Sequence, residues 1–97
     1  MGRPTARLGD QGVPHCSGYV IATGSPNVFV NNKPMAAVGD KSSPHTLPAK
    51  PVCLPHVASI IAGSGSVFVN GRPVARVGDP LAGCTLVATG SPDVFTA

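Results

Sequence analysis

The sequence predicts an all-β fold of short strands and tight turns, with three units set around one axis. Three observations carry this: a hairpin-like segment occurs twice in full, a third copy is split between the chain ends, and turn formers crowd the composition. Among 97 residues there are 12 Gly and 11 Pro, the two poorest helix formers. Such a chain favours brief strands joined by many turns. Val, Ile and Phe recur in short strand-like runs throughout. At this length one domain is expected, with a core thin enough to need a staple such as a metal or a partner.

The repeat defines the units. Residues 24–40 read GSPNVFVNNKPMAAVGD and residues 63–79 read GSGSVFVNGRPVARVGD, identical at 11 of 17 positions at an offset of 39. Residues 90–97 (GSPDVFTA) supply the first half of a third unit, and residues 2–10 (GRPTARLGD) supply its second half. Closure explains the split: the C-terminal strand lies beside the N-terminal one and completes the third unit without a covalent link. An open solenoid needs no such division. Within a unit, Val67-Phe68-Val69 reads as a strand. Asn70-Gly71 is the strongest short signal for a type I′ turn, with Asn31-Asn32 in the same place. Pro73–Val77 reads as the return strand, with its proline at the start, where a missing N–H does least harm. Gly78-Asp79 then turns the chain.

Five residues beyond each Gly-Asp stands a side chain able to bind metal: His15 after Asp10, His45 after Asp40 and Cys84 after Asp79. If the units are related by a three-fold axis, these three converge near it. His56, in the longest connecting segment, is the remaining histidine and completes a set of four. Three His and one Cys form a closed structural set for Zn²⁺, with iron as the alternative metal. Pro14, Pro44 and Pro55 precede the three histidines and stiffen the backbone that holds them. Cys16, beside His15, is an alternative ligand. Cys16 and Cys53 lie off the five-residue spacing and otherwise read as small buried apolar residues. Asp10, Asp40 and Asp79 read as acceptors of backbone N–H groups in the turns rather than as catalytic carboxylates. Arg3, Arg7, Arg72 and Arg76 read either as partners for acidic groups on another protein or as solvated edges.

Composition narrows the function. The net charge of +3 is dispersed, basic residues occur singly, and four aromatics are few for stacking bases, so nucleic acid is not an expected partner. A zinc hydrolase needs an open coordination position and a general base. This chain offers four ligands and no Glu. Residues 1–20 contain no continuous apolar segment of the kind a signal peptide needs, so synthesis in the cytoplasm and export by a signal-independent machine are expected. Three cysteines fit free or metal-bound thiols better than a disulfide framework.

These segments resemble the PAAR-repeat family, named for a Pro-Ala-Ala-Arg motif. The matching stretches are Pro4-Thr5-Ala6-Arg7, Pro34-Met35-Ala36-Ala37 and Pro73-Val74-Ala75-Arg76, each followed by an aliphatic residue and Gly-Asp. The resemblance covers essentially the whole chain. It implies a small cone of β-strands with pseudo-three-fold symmetry and a zinc ion near the vertex, bound by three His and one Cys. It implies a non-enzymatic tip for the type VI secretion spike, one chain docking by its base on the trimeric β-helix of a VgrG-type spike protein. The resemblance further implies effector proteins as candidate partners and transient contact with the target membrane as the spike is driven out of the cell. One domain over 1–97, without an effector extension, is expected. A zinc-stabilised module for another trimeric partner is the alternative.

Overall fold

The computed structural model describes residues 2–13, 18–49, 52–82 and 85–97, with the backbone alone for 45–49 and 52–56. Among the described residues there are eight strands and no helix: β1 (Arg3–Pro4), β2 (Phe29–Val30), β3 (Lys33–Pro34), β4 (His45–Ala49), β5 (Val52–His56), β6 (Phe68–Val69), β7 (Arg72–Pro73) and β8 (Phe95–Thr96). They form four antiparallel pairs: β2 with β3, β4 with β5, β6 with β7, and β1 with β8. The last pair joins the two ends of the chain, with Arg3 opposite Thr96 and Pro4 opposite Phe95. Phe29 faces Pro34, and Phe68 faces Pro73, in the same register. The connecting residues have left-handed backbone, with φ of 52° at Asn31, 65° at Asn32, 51° at Asn70 and 78° at Gly71. This is the type I′ geometry that Asn-Gly tolerates best.

The return strands are shorter than the sequence suggests. After its proline each one leaves its own hairpin and pairs with a neighbouring unit. Thr5 bridges Arg76, Arg7 bridges Met35, and Ala37 bridges Val74. The exchange closes at the three central alanines. Ala6 N–H donates to Ala75 O at 2.9 Å, Ala75 N–H to Ala36 O at 2.9 Å, and Ala36 N–H to Ala6 O at 3.0 Å. Ala6, Ala36 and Ala75 are all 0% exposed. A larger side chain at any of them would have to displace backbone, because interiors are close-packed.

A second cycle follows two residues later, where Leu8, Val38 and Val77 donate to Pro34 O, Pro73 O and Pro4 O at 2.8–2.9 Å. The Gly-Asp turns come next, with φ of 90°, 96° and 92° at Gly9, Gly39 and Gly78, values that any L side chain would strain. Beside them Ile21, Ile60 and Val87 form a buried layer with the alanines, together with Tyr19, Ala58 and Leu81. Ile21, Ile60 and Val87 also donate their N–H groups to the carbonyls of Asp10, Asp40 and Asp79 respectively.

The three aspartates tie the turns together. As expected from the sequence, each accepts a backbone N–H, from Arg7, Ala37 and Arg76 respectively, all at 2.8 Å. Side chains supply the remaining donors. Asp10 takes Arg7 Nε at 2.9 Å and Thr89 Oγ1 at 3.1 Å. Asp40 takes Thr23 Oγ1 at 2.9 Å and Arg72 Nη1 at 3.2 Å. Asp79 takes Arg76 Nε at 3.0 Å and Arg3 Nη2 at 3.1 Å. All four arginines pair with aspartates of this chain, and Arg3, with its side chain 44% exposed, is a solvated edge as well. The hydrogen bond to Asp10, opposed in part by burial, raises the pKa of Arg7, so its charge stays fixed.

Asp10 and Arg7 are 4% and 7% exposed. Removing one member of a buried pair strands the other. Asp10→Ala is expected to cost about 3 kcal/mol or more, a fall in Tm of at least ~12 °C for a domain this size. A thermal melt that moves by less than about 4 °C would show that the pair does not hold the turn.

Candidate metal centre

The segments that carry the predicted ligands all leave the fold at equivalent places. His15, His45 and Cys84 lie two residues beyond Val13, Ser43 and Ala82. These three residues are bound in a third cycle: Val13 N–H donates to Leu86 O at 2.9 Å, Ser43 N–H to Val20 O at 2.7 Å, and Ala82 N–H to Ser59 O at 2.8 Å. Each bond joins the start of one connecting segment to the end of another. The described flanks of the three segments therefore meet beside the buried layer of Tyr19, Ile21, Ala58, Ile60, Leu81 and Val87.

The longest connection is itself a hairpin. In β4 and β5, Leu47 faces Leu54 and Pro48 faces Cys53, and the pair begins with His45 opposite His56. Two of the four predicted ligands are thus cross-strand partners on adjacent backbone. His15, Cys84 and Cys16 lie outside the described residues, and Cys53 is described by its backbone alone. Among the residues whose side chains are described there is no cluster of three metal-competent groups. Val13 and Leu86, the described neighbours of the His15 and Cys84 segments, are hydrogen-bonded, and His45 and His56 are in register. A donor set of three imidazoles and one thiolate suits zinc, and the described flanks of the three segments meet beside the same buried layer.

Tyr19 and Thr85 brace these flanks, and nothing in the repeat announced them. Tyr19 is 4% exposed, and its hydroxyl lies 2.8 Å from Thr85 Oγ1. Thr85 in turn donates to Val13 O. Tyr19 therefore acts as the donor to Thr85, and the chain of bonds links the segments on either side of His15 to the segment after Cys84. Space for the ring exists because Gly12 has no side chain: a Cβ there would lie 1.9 Å from Tyr19 Cζ. Ser42 and Leu81 hold the corresponding place in the other units.

The carboxylates are committed elsewhere. Asp10, Asp40 and Asp79 are buried and saturated with donors. Asp93, at a hairpin, accepts from Asn31 Nδ2 at 2.9 Å and Ser91 Oγ at 3.0 Å. These two hydrogen bonds, Asn31's foremost, lower its pKa and keep it ionised as a structural acceptor.

Among the described residues the fold is strand and turn, with three cyclically bonded hairpins. A profile of the PAAR motif family matches residues 1–44 and 51–97, nearly the whole chain, and the protein belongs to that family. Its members are PAAR-repeat, β-rich, non-enzymatic structural tips of the type VI secretion spike, and this chain is one of that class. No curated protein matches the chain.

The crowding at Gly12 gives a direct check of the brace. Gly12→Ala is expected to displace Tyr19 and cost roughly 1–3 kcal/mol, with loss of the Tyr19 environment in near-ultraviolet circular dichroism. An unchanged spectrum and melt would mean that the ring does not depend on that space.

Proposed function

We propose that the chain caps the distal end of a VgrG-type spike trimer, one chain per trimer, as a single domain whose narrow end is stapled by zinc. The observation that carries the reading is the closed cycle of Ala6, Ala36 and Ala75, in which one polypeptide repeats the same contact three times. A monomer built this way presents a three-fold surface to a partner that has a true three-fold axis. It also covers the open strand edges at the end of a β-helix, which would otherwise pair promiscuously.

His15, His45, His56 and Cys84 are the residues that would hold the metal. Zinc supplies no reaction here: its binding free energy acts as folding free energy where the narrowing cone has no room for an apolar core. The β4–β5 ladder brings His45 and His56 opposite each other, and the Val13–Leu86 bond draws the other two segments together. The pointed end leads when the contracting sheath drives the spike through a target membrane, and the protein leaves the cell by that route, with effectors attached to the assembly.

Native mass spectrometry of the chain mixed with the C-terminal β-helix of a cognate spike protein tests both parts. One chain with one zinc on one trimer is the expected mass. A zinc-bearing chain that stays apart from the trimer would refute the cap. Chelation is expected to lower the Tm of the free chain by at least about 10 °C; an unchanged Tm would refute the staple.

A further inference from the structure

The hairpins place three phenylalanines in the same setting. Phe29, Phe68 and Phe95 are 56%, 57% and 56% exposed, and the next residue in each strand, Val30, Val69 or Thr96, is buried. Each phenylalanine stands opposite the proline of its unit's motif, Pro34, Pro73 or Pro4. Val67 and Val94, one residue earlier, are exposed as well. A half-exposed phenylalanine is unremarkable alone. Three with equal exposure, at matched positions around the alanine cycle, form a set. At about 200 Å² per ring they offer together roughly 300 Å² of apolar surface, in three equal parts.

We infer that Phe29, Phe68 and Phe95 are the anchors of the docking face, each packing against one of three identical chains in the end of a trimer. The inference rests on the capping function proposed above and assigns the residues that perform it. Symmetry selects the occupant: three equal apolar groups find three equal receiving sites on a homotrimer, whereas a single-chain partner offers each of them a different one. A membrane is disfavoured, because interfacial aromatic belts are built from Trp and Tyr, and this chain has no Trp and one Tyr. The nearby cations do not lead the contact. Arg3 and Arg72, beside the phenylalanines in the paired strands, are engaged with Asp79 and Asp40, which leaves Lys33, exposed beside Phe29, as the cation of the set outside these pairs. Docking is therefore apolar, with little dependence on salt.

The test uses the zinc-loaded chain, the immobilised β-helix trimer of a cognate spike protein, and Phe→Thr substitutions made singly and together. Thr keeps the strand preference and removes the ring. Each single substitution is expected to weaken binding by about tenfold, and by a similar amount at all three sites, as buried aromatic anchors do. The triple variant is expected to lose more than about 100-fold, with the melts of the single variants near that of the parent. Ile61→Thr, at an exposed site elsewhere (56%), is the control and is expected to bind like the parent. Parent affinity is expected to change by less than about threefold between 50 and 500 mM salt. If the parent binds the trimer and the triple variant binds equally well, the anchors are wrong and the cap stands. If the parent itself fails to bind, the capping function falls. Equal trimer binding accompanied by lost self-association or lost vesicle binding would give these residues to a second copy or to a membrane and would overturn the inference. Should the triple variant melt early, the single variants decide it.

Discussion

Three alanine amides that donate to one another in a closed cycle are the constraint on which the rest of the structure depends. Ala6, Ala36 and Ala75 come from distant parts of the chain and meet with no exposed surface. A backbone N–H buried without a partner costs about as much as a lost hydrogen bond or more. The units must therefore arrive together, because any one absent would orphan a donor in one neighbour and an acceptor in the other. Alanine suits the place: it leaves the backbones free to approach, and it is small enough for three copies to share one axis.

The aspartate sites show how a repeat can drift while the contact survives. Each carboxylate keeps a backbone donor and two side-chain donors, but the pair differs from unit to unit. Arg7 and Thr89 serve Asp10, Thr23 and Arg72 serve Asp40, and Arg76 and Arg3 serve Asp79. Lys33, Ala37 and Ala62 occupy the positions where a third donor would come from. Loss of one donor is tolerated where two others remain, so the motif's arginine can become Ala37 in one unit. The carboxylate has no substitute, because it is the acceptor that every donor needs.

The hairpins were legible in the sequence because local chemistry determines them. Asn31-Asn32 and Asn70-Gly71 accept positive φ, and the Val-Phe-Val runs favour extended backbone. The split unit announced the pairing of β1 with β8. Strand lengths were less legible, since residues after each proline pair with another unit, and no single segment carries that information. The β4–β5 hairpin was hidden by Pro48 and Pro55, which ordinarily argue against a strand; a two-stranded ladder has edges on both sides, where proline is tolerated. The arginine–aspartate pairs had an i,i+3 signal in Arg7–Asp10 and Arg76–Asp79, whereas Arg3 and Arg72 reach across units. Spacing from Gly-Asp located the ligand-bearing segments, but Tyr19 above Gly12 is a packing solution that occurs in one unit and leaves no repeat to read.

Function follows from closure. A chain that is three-fold in its contacts and single in its connectivity can end a symmetric assembly without itself being an oligomer. The most direct test of closure is native-state hydrogen exchange at the three alanine amides. Ala6, in the unit divided between the chain ends, is predicted to exchange with Ala36 and Ala75 through global unfolding, with opening free energies equal to within about 1 kcal/mol. If Ala6 opened several kcal/mol more easily than the other two, the ends would fray independently and the cycle would not be the element that holds the fold.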